Sequence, residues 1–338
     1  MKSVSGCRIL LIGGAGFIGH HLALELKKQG AEVSIVDGLL VNNILHFSST
    51  GENIIEHRLL YLKMLNQRQE KIRNADIPIF IEDARNYYAL CSLVNKLKPD
   101  VIFHLAAVSH AGISNKTPYS TFDHSFRTLE NALDACKSKV DHFIYFSSSM
   151  IYGHFKGGMV TEKTHCDPIG IYGALKFSGE KLVIAYNQVF DLPFTIIRPS
   201  ALYGSRCVSR RVGQIFIENA LQGKDISIAG DGNDRLDFTY IDDLVNGLIK
   251  VVESENSKNE ILNLTYGESR SLNDMVNILK EHFPSVNVNY LPKDKLTPDR
   301  GTLSIDKAIA RIGYNPRFPL EKGFVKYIEW YKQFFKSL

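Results

Sequence analysis

The chain has 338 residues, 44% hydrophobic and 22% charged, and its 40 Lys+Arg against 36 Asp+Glu leave a net charge of +4. That length exceeds one ordinary core and suits two, and that balance excludes a disordered, collagen-like or coiled-coil chain. The positive excess is spread in short pairs such as Arg210-Arg211, so no nucleic-acid surface is expected. The longest apolar stretches, such as Ile9–Ile12, fall far short of the ~20 residues that span a bilayer, and no membrane segment is expected. No long apolar run with a cleavage site follows Lys2 or Arg8, so no secretory signal is expected. Cys7, Cys91, Cys136, Cys166 and Cys207 are widely spaced, without C-x-x-C or paired Cys/His spacing. They predict reduced thiols, a cytoplasmic protein and no metal site.

Residues 8–12 read as a short buried strand running directly into glycines, and residues 17–29 as a helix stopped at Gly30. Val33–Val36 is a second strand, ending in Asp37, which completes a βαβ unit. An amphipathic helix is expected over 59–73, a strand over 77–81, and a helix over 87–97 stopped by Pro99. Further strands are expected at 101–105, 142–147 and 194–197, with helices at 121–137 and 172–190. Alternation of short apolar strands with longer helices predicts an α/β fold, a Rossmann-like doubly wound parallel sheet. After Pro199 the rhythm breaks: a helix at 211–222, a strand at 226–229, a Gly-Asp-Gly-Asn turn, a helix at 242–253, then short elements between prolines. The expected division is 1–198 plus about 236–254 for the dinucleotide domain, and 199–235 plus 255–338 for a smaller, irregular substrate domain.

Glycines at 13, 16 and 19 sit between the first strand and helix. The first permits a tight turn, the second lets backbone approach a pyrophosphate, and the third lets helix and strand pack closely. The helix N-terminus then presents free N–H groups and partial positive charge to phosphate. Asp37, at the end of the next strand, can accept both ribose hydroxyls of NAD and would repel a 2′-phosphate; no Arg or Lys lies beside it. The predicted cofactor is therefore NAD. Tyr172 and Lys176 stand four apart on a predicted helix and share a face, where the ammonium is expected to lower the phenol pKa. Such a tyrosine can take a proton from a sugar hydroxyl while hydride leaves for a nicotinamide. The run Ser147-Ser148-Ser149, at a strand end, can supply a hydroxyl to the same oxygen.

In this order the motifs resemble the extended short-chain dehydrogenase/reductases, specifically the NAD-dependent nucleotide-sugar epimerase/dehydratase family. The similarity continues through Glu82-Asp83, His104–Ala107, Ser147–Gly153, Arg198-Pro199, Tyr203-Gly204, Arg235–Phe238 and Asp242-Asp243, and covers nearly the whole chain. The resemblance implies catalytic roles for Ser148, Tyr172 and Lys176. It implies NAD contacts at Gly13, Gly16, Phe17, Ile18, Gly19, Asp37, Asp83, Ala84, Leu105, Ala106, Ala107, Tyr172, Lys176 and Pro199. It implies a nucleotide-diphosphate sugar held by Ser148, Ser149, Tyr172, Ala201, Val212, Ile228, Arg235 and Arg300, with Ile228 and Ala229 against the base. Arg206, Arg210 and Arg211 are candidates to face an acidic sugar or phosphate, or else solvent. The family also implies a homodimer through helices 121–137 and 172–190. Two places depart from the pattern: Ala201 and Ser125 stand where many members carry Asn. The 38–75 segment is longer than the usual connection, and only a cover for the cofactor or an interface suggests itself.

Family chemistry begins with oxidation at sugar C4. Dehydratases then need an Asp-Glu pair, and decarboxylases a Glu, where this chain has Ser149 and Met150. Elimination favours a C4 epimerase working through a transient 4-keto sugar. The alternatives are a C4 dehydrogenase or 4,6-dehydratase and, in a different class, a non-catalytic NAD-binding regulator or scaffold.

Overall fold

The computed structural model describes residues 3–48, 55–109, 111–293 and 296–336. Seven parallel strands form the central sheet in the order Glu260–Asn263, Phe194–Arg198, His142–Phe146, Val101–His104, Arg8–Ile12, Glu32–Val36 and Ile79–Phe80. The chain builds outward from Arg8–Ile12 to one edge, then returns to its other side at Val101–His104 and builds toward the opposite edge. This reversal splays the loops that follow the two neighbouring strands, and a crevice opens between them. Side chains alternate across the sheet, and both faces are covered: Ile9 and Leu11 join one apolar cluster while Leu10 and Ile12 join the other.

The strand Glu260–Asn263 is the edge of this sheet, although the sequence grouped residues 255–338 with the smaller unit. It pairs with Phe194–Arg198 far back in the chain, Glu260 facing Thr195, so no local pattern announces the pairing. The third-strand expectation at 77–81 shrinks to Ile79–Phe80. The expected helix at 121–137 begins earlier, at Pro118, and passes through a π turn at Asp123–Arg127 before Thr128–Cys136. Widening the helix there brings the Ser125 hydroxyl to the backbone of Val108, whose N–H donates to it at 3.1 Å.

Within the long 38–75 connection lies the helix Ile55–Asn74. Tyr61, Met64, Leu65, Arg68 and Ile72 are its buried stripe. This stripe packs against the glycine-loop helix Phe17–Lys28 and reaches the smaller unit, where Tyr61 donates to Glu218 at 2.8 Å. In that unit short strand pairs such as Ile226–Ala229 with Val288–Leu291 surround the cavity mouth, and the helix Leu320–Lys336 closes the core with Phe324, Tyr327 and Tyr331. Among the described residues, no helix is long and apolar enough to cross a membrane.

Candidate active site

The crevice at the strand reversal is lined by Gly13, Gly16, Phe17, Ile18, Gly19, Asp37, Asp83, Ala84, Leu105, Ala106 and Ala107. Gly13 turns the chain at φ +80°, and a Cβ there would stand 2.6 Å from the Ala106 nitrogen. A Cβ on Gly19 would lie 2.4 Å from the Gly14 carbonyl oxygen, so the helix sits directly on its own loop. The first turn of that helix has no side-chain cap. Its N–H groups thus remain oriented toward a ligand. Asp37 accepts from the Ala15 N–H at 2.9 Å through one oxygen and from the Leu39 N–H at 2.8 Å through the other. These bonds aim the carboxylate and leave it further lone pairs. Burial pushes its pKa up, against the pull of the same two N–H groups and of Arg68. Asp83 is desolvated too, but the Arg85 guanidinium, 2.6 Å away, outweighs this and holds its pKa down.

These features fit a dinucleotide: a loop stripped of side chains, an uncapped helix start and an aimed carboxylate. Arg68 adds a buried guanidinium whose Nη1 has no partner among the described residues.

A second cavity of about 560 Å³ adjoins the crevice and shares Ile18, Leu105, Ala107, Leu202 and Arg211 with it. That volume is within the usual range for small-molecule sites. The cavity gathers Ser148, Ser149, Tyr172, Lys176, Ala201, Val212, Ile228, Ala229, Arg235 and Arg300 from well-separated stretches of chain. Pro199, Tyr172 and Lys176, all expected at the cofactor, line this adjoining cavity. Arg210 and Arg211 also line it; Arg206 does not, being buried against His20.

Ser148 caps the short turn Ser149–Tyr152, accepting the Met150 N–H at 3.2 Å. Tyr172 lies in the first turn of the helix Gly170–Phe190, and Lys176 one turn further on. Lys176 and Tyr172 line the same cavity. The Lys176 Nζ donates to the Phe146 carbonyl at 2.6 Å, and burial lowers its pKa to about 8 despite Glu180. Desolvation raises the Tyr172 pKa, while Arg211 and a hydrogen bond from Ser148 pull it back. Desolvation is thus the largest influence on that phenol. Ser149 donates to Ser200 at 3.2 Å.

Around the far end of the cavity Arg235 is anchored by Ser269, through Nε to the hydroxyl at 3.1 Å and Nη2 to the carbonyl at 2.5 Å. Arg300 is pushed down to about 10 by burial and by Arg211, with Asp234 opposing. Arg211 itself donates to the Ser109 carbonyl at 2.5 Å. Sequence reasoning passed over Ser109, Asn115, Lys293 and Arg68, which also line these spaces. For Arg68 a signal existed: it falls on the apolar stripe of its helix, four positions before Ile72.

Residues 9–265 match the family described as NAD dependent epimerase/dehydratase. The uncharacterised UDP-glucose epimerase YtcB of Bacillus subtilis is 30% identical over 336 residues, covering 98% of this chain and 99% of its own length. The crystal structure of a UDP-glucuronic acid 4-epimerase from Bacillus cereus, in complex with UDP-glucuronic acid and NAD, superposes with a TM-score of 0.84. It is 29% identical, over 96% of this chain and 99% of that one. A UDP-glucose 4-epimerase from Thermotoga maritima, with UDP-glucose, gives 0.82 at 26% identity over 96% and 98%. A match this long takes in the glycine turn, the serine run and the Tyr172 helix together, and the chain belongs to the NAD dependent epimerase/dehydratase family.

Proposed function

We propose that the protein is an NAD-dependent nucleotide-sugar epimerase acting at C4. The observation that carries this is the position of Ser148, Tyr172 and Lys176 on the cavity that opens beside the dinucleotide crevice. Bound NAD supplies a hydride acceptor and, later, a donor. Tyr172 takes the proton of the C4 hydroxyl, and Ser148 steadies the same oxygen. Lys176, held by the Phe146 carbonyl, keeps a positive charge at the floor of the site. Arg235 and Arg300 hold the diphosphate, so the ketone can turn its other face while the nucleotide stays anchored. Tyr172 then returns the proton. Ser149 and Met150 offer no carboxylate for elimination or decarboxylation.

A sugar bearing a carboxylate suits the site best. Arg211 lines the cavity together with Tyr172 and Arg300 and acts electrostatically on both, so a further cation is on hand for the sugar. UDP-glucuronate is the substrate named for the Bacillus cereus neighbour. The test is a panel of UDP-, GDP-, CDP- and dTDP-sugars, with UDP-glucuronate and UDP-glucose included, in large excess over enzyme-bound NAD. C4 epimer by NMR without lasting NADH absorbance is expected, fastest with the uronate. Stoichiometric NADH would make the protein a dehydrogenase, and a 4-keto-6-deoxy product a dehydratase.

The exposed apolar residues Phe122, Ile171 and Val189 on the two helix segments, 118–136 and 170–190, support a homodimer through that face. Light scattering should give twice the chain mass. Five free cysteines fit a reducing compartment such as the cytoplasm.

A further inference from the structure

The helix Ile55–Asn74 carries a buried arginine that the proposed chemistry leaves unused. Arg68 is 1% exposed and lines the dinucleotide crevice together with Gly13, Gly16 and Asp37. Its Nε and Nη2 both donate to the Arg206 carbonyl, at 3.0 and 2.5 Å. Its Nη1 is buried without a partner among the described residues. Among the described residues neither Arg68 nor Arg206 forms an ion pair with a carboxylate, and Asp37 acts on Arg68 only through space. A buried guanidinium left this way is costly unless something supplies the opposite charge.

Arg68 is also wired to the glycine loop. The Gly16 carbonyl contacts His20 Nδ1 at 2.9 Å, and His20 Nε2 accepts from Arg206 Nε at 3.0 Å. The first bond requires Nδ1 to carry the proton, because Nε2 is the acceptor in the second. Desolvation keeps His20 neutral, with the neighbouring cations adding to the effect. A chain of hydrogen bonds thus runs from the loop, through His20 and Arg206, to Arg68. It fixes where the free Nη1 points relative to the uncapped helix start.

We infer that Arg68 is a ligand of the dinucleotide's diphosphate, supplied by the inserted helix and held in place by the Arg206 carbonyl. This rests on the NAD reading of the crevice. The long 38–75 connection thereby delivers the countercharge that the glycine loop's backbone N–H groups lack. A planar guanidinium with two arms fixed presents the third at a set angle, which an ammonium cannot do.

The test compares ligands that differ only in phosphate. Adenosine, ADP, ADP-ribose, NAD and NADP are titrated calorimetrically into cofactor-stripped wild type, Arg68→Gln and Arg68→Lys. Glutamine retains a donor for the Arg206 carbonyl, and apo thermal melts follow folding. Both variants are expected to lose roughly tenfold to a hundredfold in affinity for ADP and NAD. Adenosine affinity should stay unchanged, so the ADP-to-adenosine ratio drops. A structural role would weaken adenosine and ADP together and leave that ratio intact, which overturns the inference. A loss confined to NADP overturns it too, by placing the arginine at the 2′-position. If wild type binds none of the dinucleotides, the NAD reading fails instead.

Discussion

Ala201 is an alanine with φ +35°, a left-handed backbone that asparagine tolerates and alanine does not. The turn is held because the Ala201 carbonyl accepts from Thr239 while the neighbouring strands Leu202–Tyr203 and Thr239–Tyr240 pair. Ala201→Asn should therefore stabilise the protein by about 1 kcal/mol in urea denaturation, the lower end of the left-handed cost. The same residue lines the cavity, so the variant also reports whether an amide there alters sugar preference. Tyr172 and Ser148 admit a sharper experiment. Tyr172→Phe keeps the ring but cannot carry a proton, so turnover should vanish while apo stability and NAD affinity stay near wild type. Ser148→Ala should slow turnover more than Ser149→Ala, because Ser148 bonds to Tyr172 and Ser149 to Ser200. Steady-state kinetics with the preferred sugar decides the order.

Between elements, one ion pair ties the helix bearing Tyr172 to the sheet. Arg198, at the end of its strand, donates to Glu180 through Nε at 2.9 Å and Nη2 at 2.7 Å, and both side chains are buried. Its Nη1 reaches the Tyr152 hydroxyl at 2.9 Å, in the turn that Ser148 caps. Arg198 thus joins the helix bearing Tyr172 and Lys176 to the turn bearing Ser148. Removing one member of such a pair leaves a buried charge behind. Glu180→Gln should cost about 3–5 kcal/mol of unfolding free energy. It should also lower turnover with little change in NAD affinity, since neither partner lines the crevice. Urea melts and NAD titration separate the two effects. The Arg198-Pro199 motif was legible in the sequence as a family feature. Its partner Glu180 was not, because nothing in a helix of mixed polarity marks which carboxylate turns inward.

Over the whole molecule, buried histidines set the response to acid. Burial lowers His21, His104 and His142 from 6.5 to about 3, and His20 well below its ordinary value. Below pH 6.5 the unfolded chain binds protons that these folded sites refuse, so stability falls as the pH drops toward 3. Asp237, raised by burial from 3.8 to about 6, works the other way. Its folded form keeps a proton that the unfolded chain releases, a contribution lost as pH rises through 6; Asp37 and Asp243 are shifted in the same direction. Four histidines act in one direction and three carboxylates in the other, and the histidines prevail in number. Unfolding free energy should fall from pH 7 to pH 5 by at least ~1 kcal/mol per unit, since one fully shifted group contributes ~1.4. Denaturant midpoints across that range check the sign.

The sequence by itself determined the parts whose physics is local. A glycine turn, an acid at the next strand end, a tyrosine and a lysine one helical turn apart and an alternation of short and long apolar periods all act within a few residues. They pointed to the parallel sheet, the NAD crevice and the helix bearing Tyr172. Tertiary structure decided what depends on distant partners. Arg68 meets Arg206 across 138 positions and His20 meets Arg206 across 186. Glu260–Asn263 becomes a sheet edge only when Phe194–Arg198 is beside it. Lys176 finds its hydrogen-bond acceptor in a carbonyl 30 positions earlier. Burial decides each of these cases: it fixes which polar groups must find partners, and the partners come from wherever the folded chain brings them.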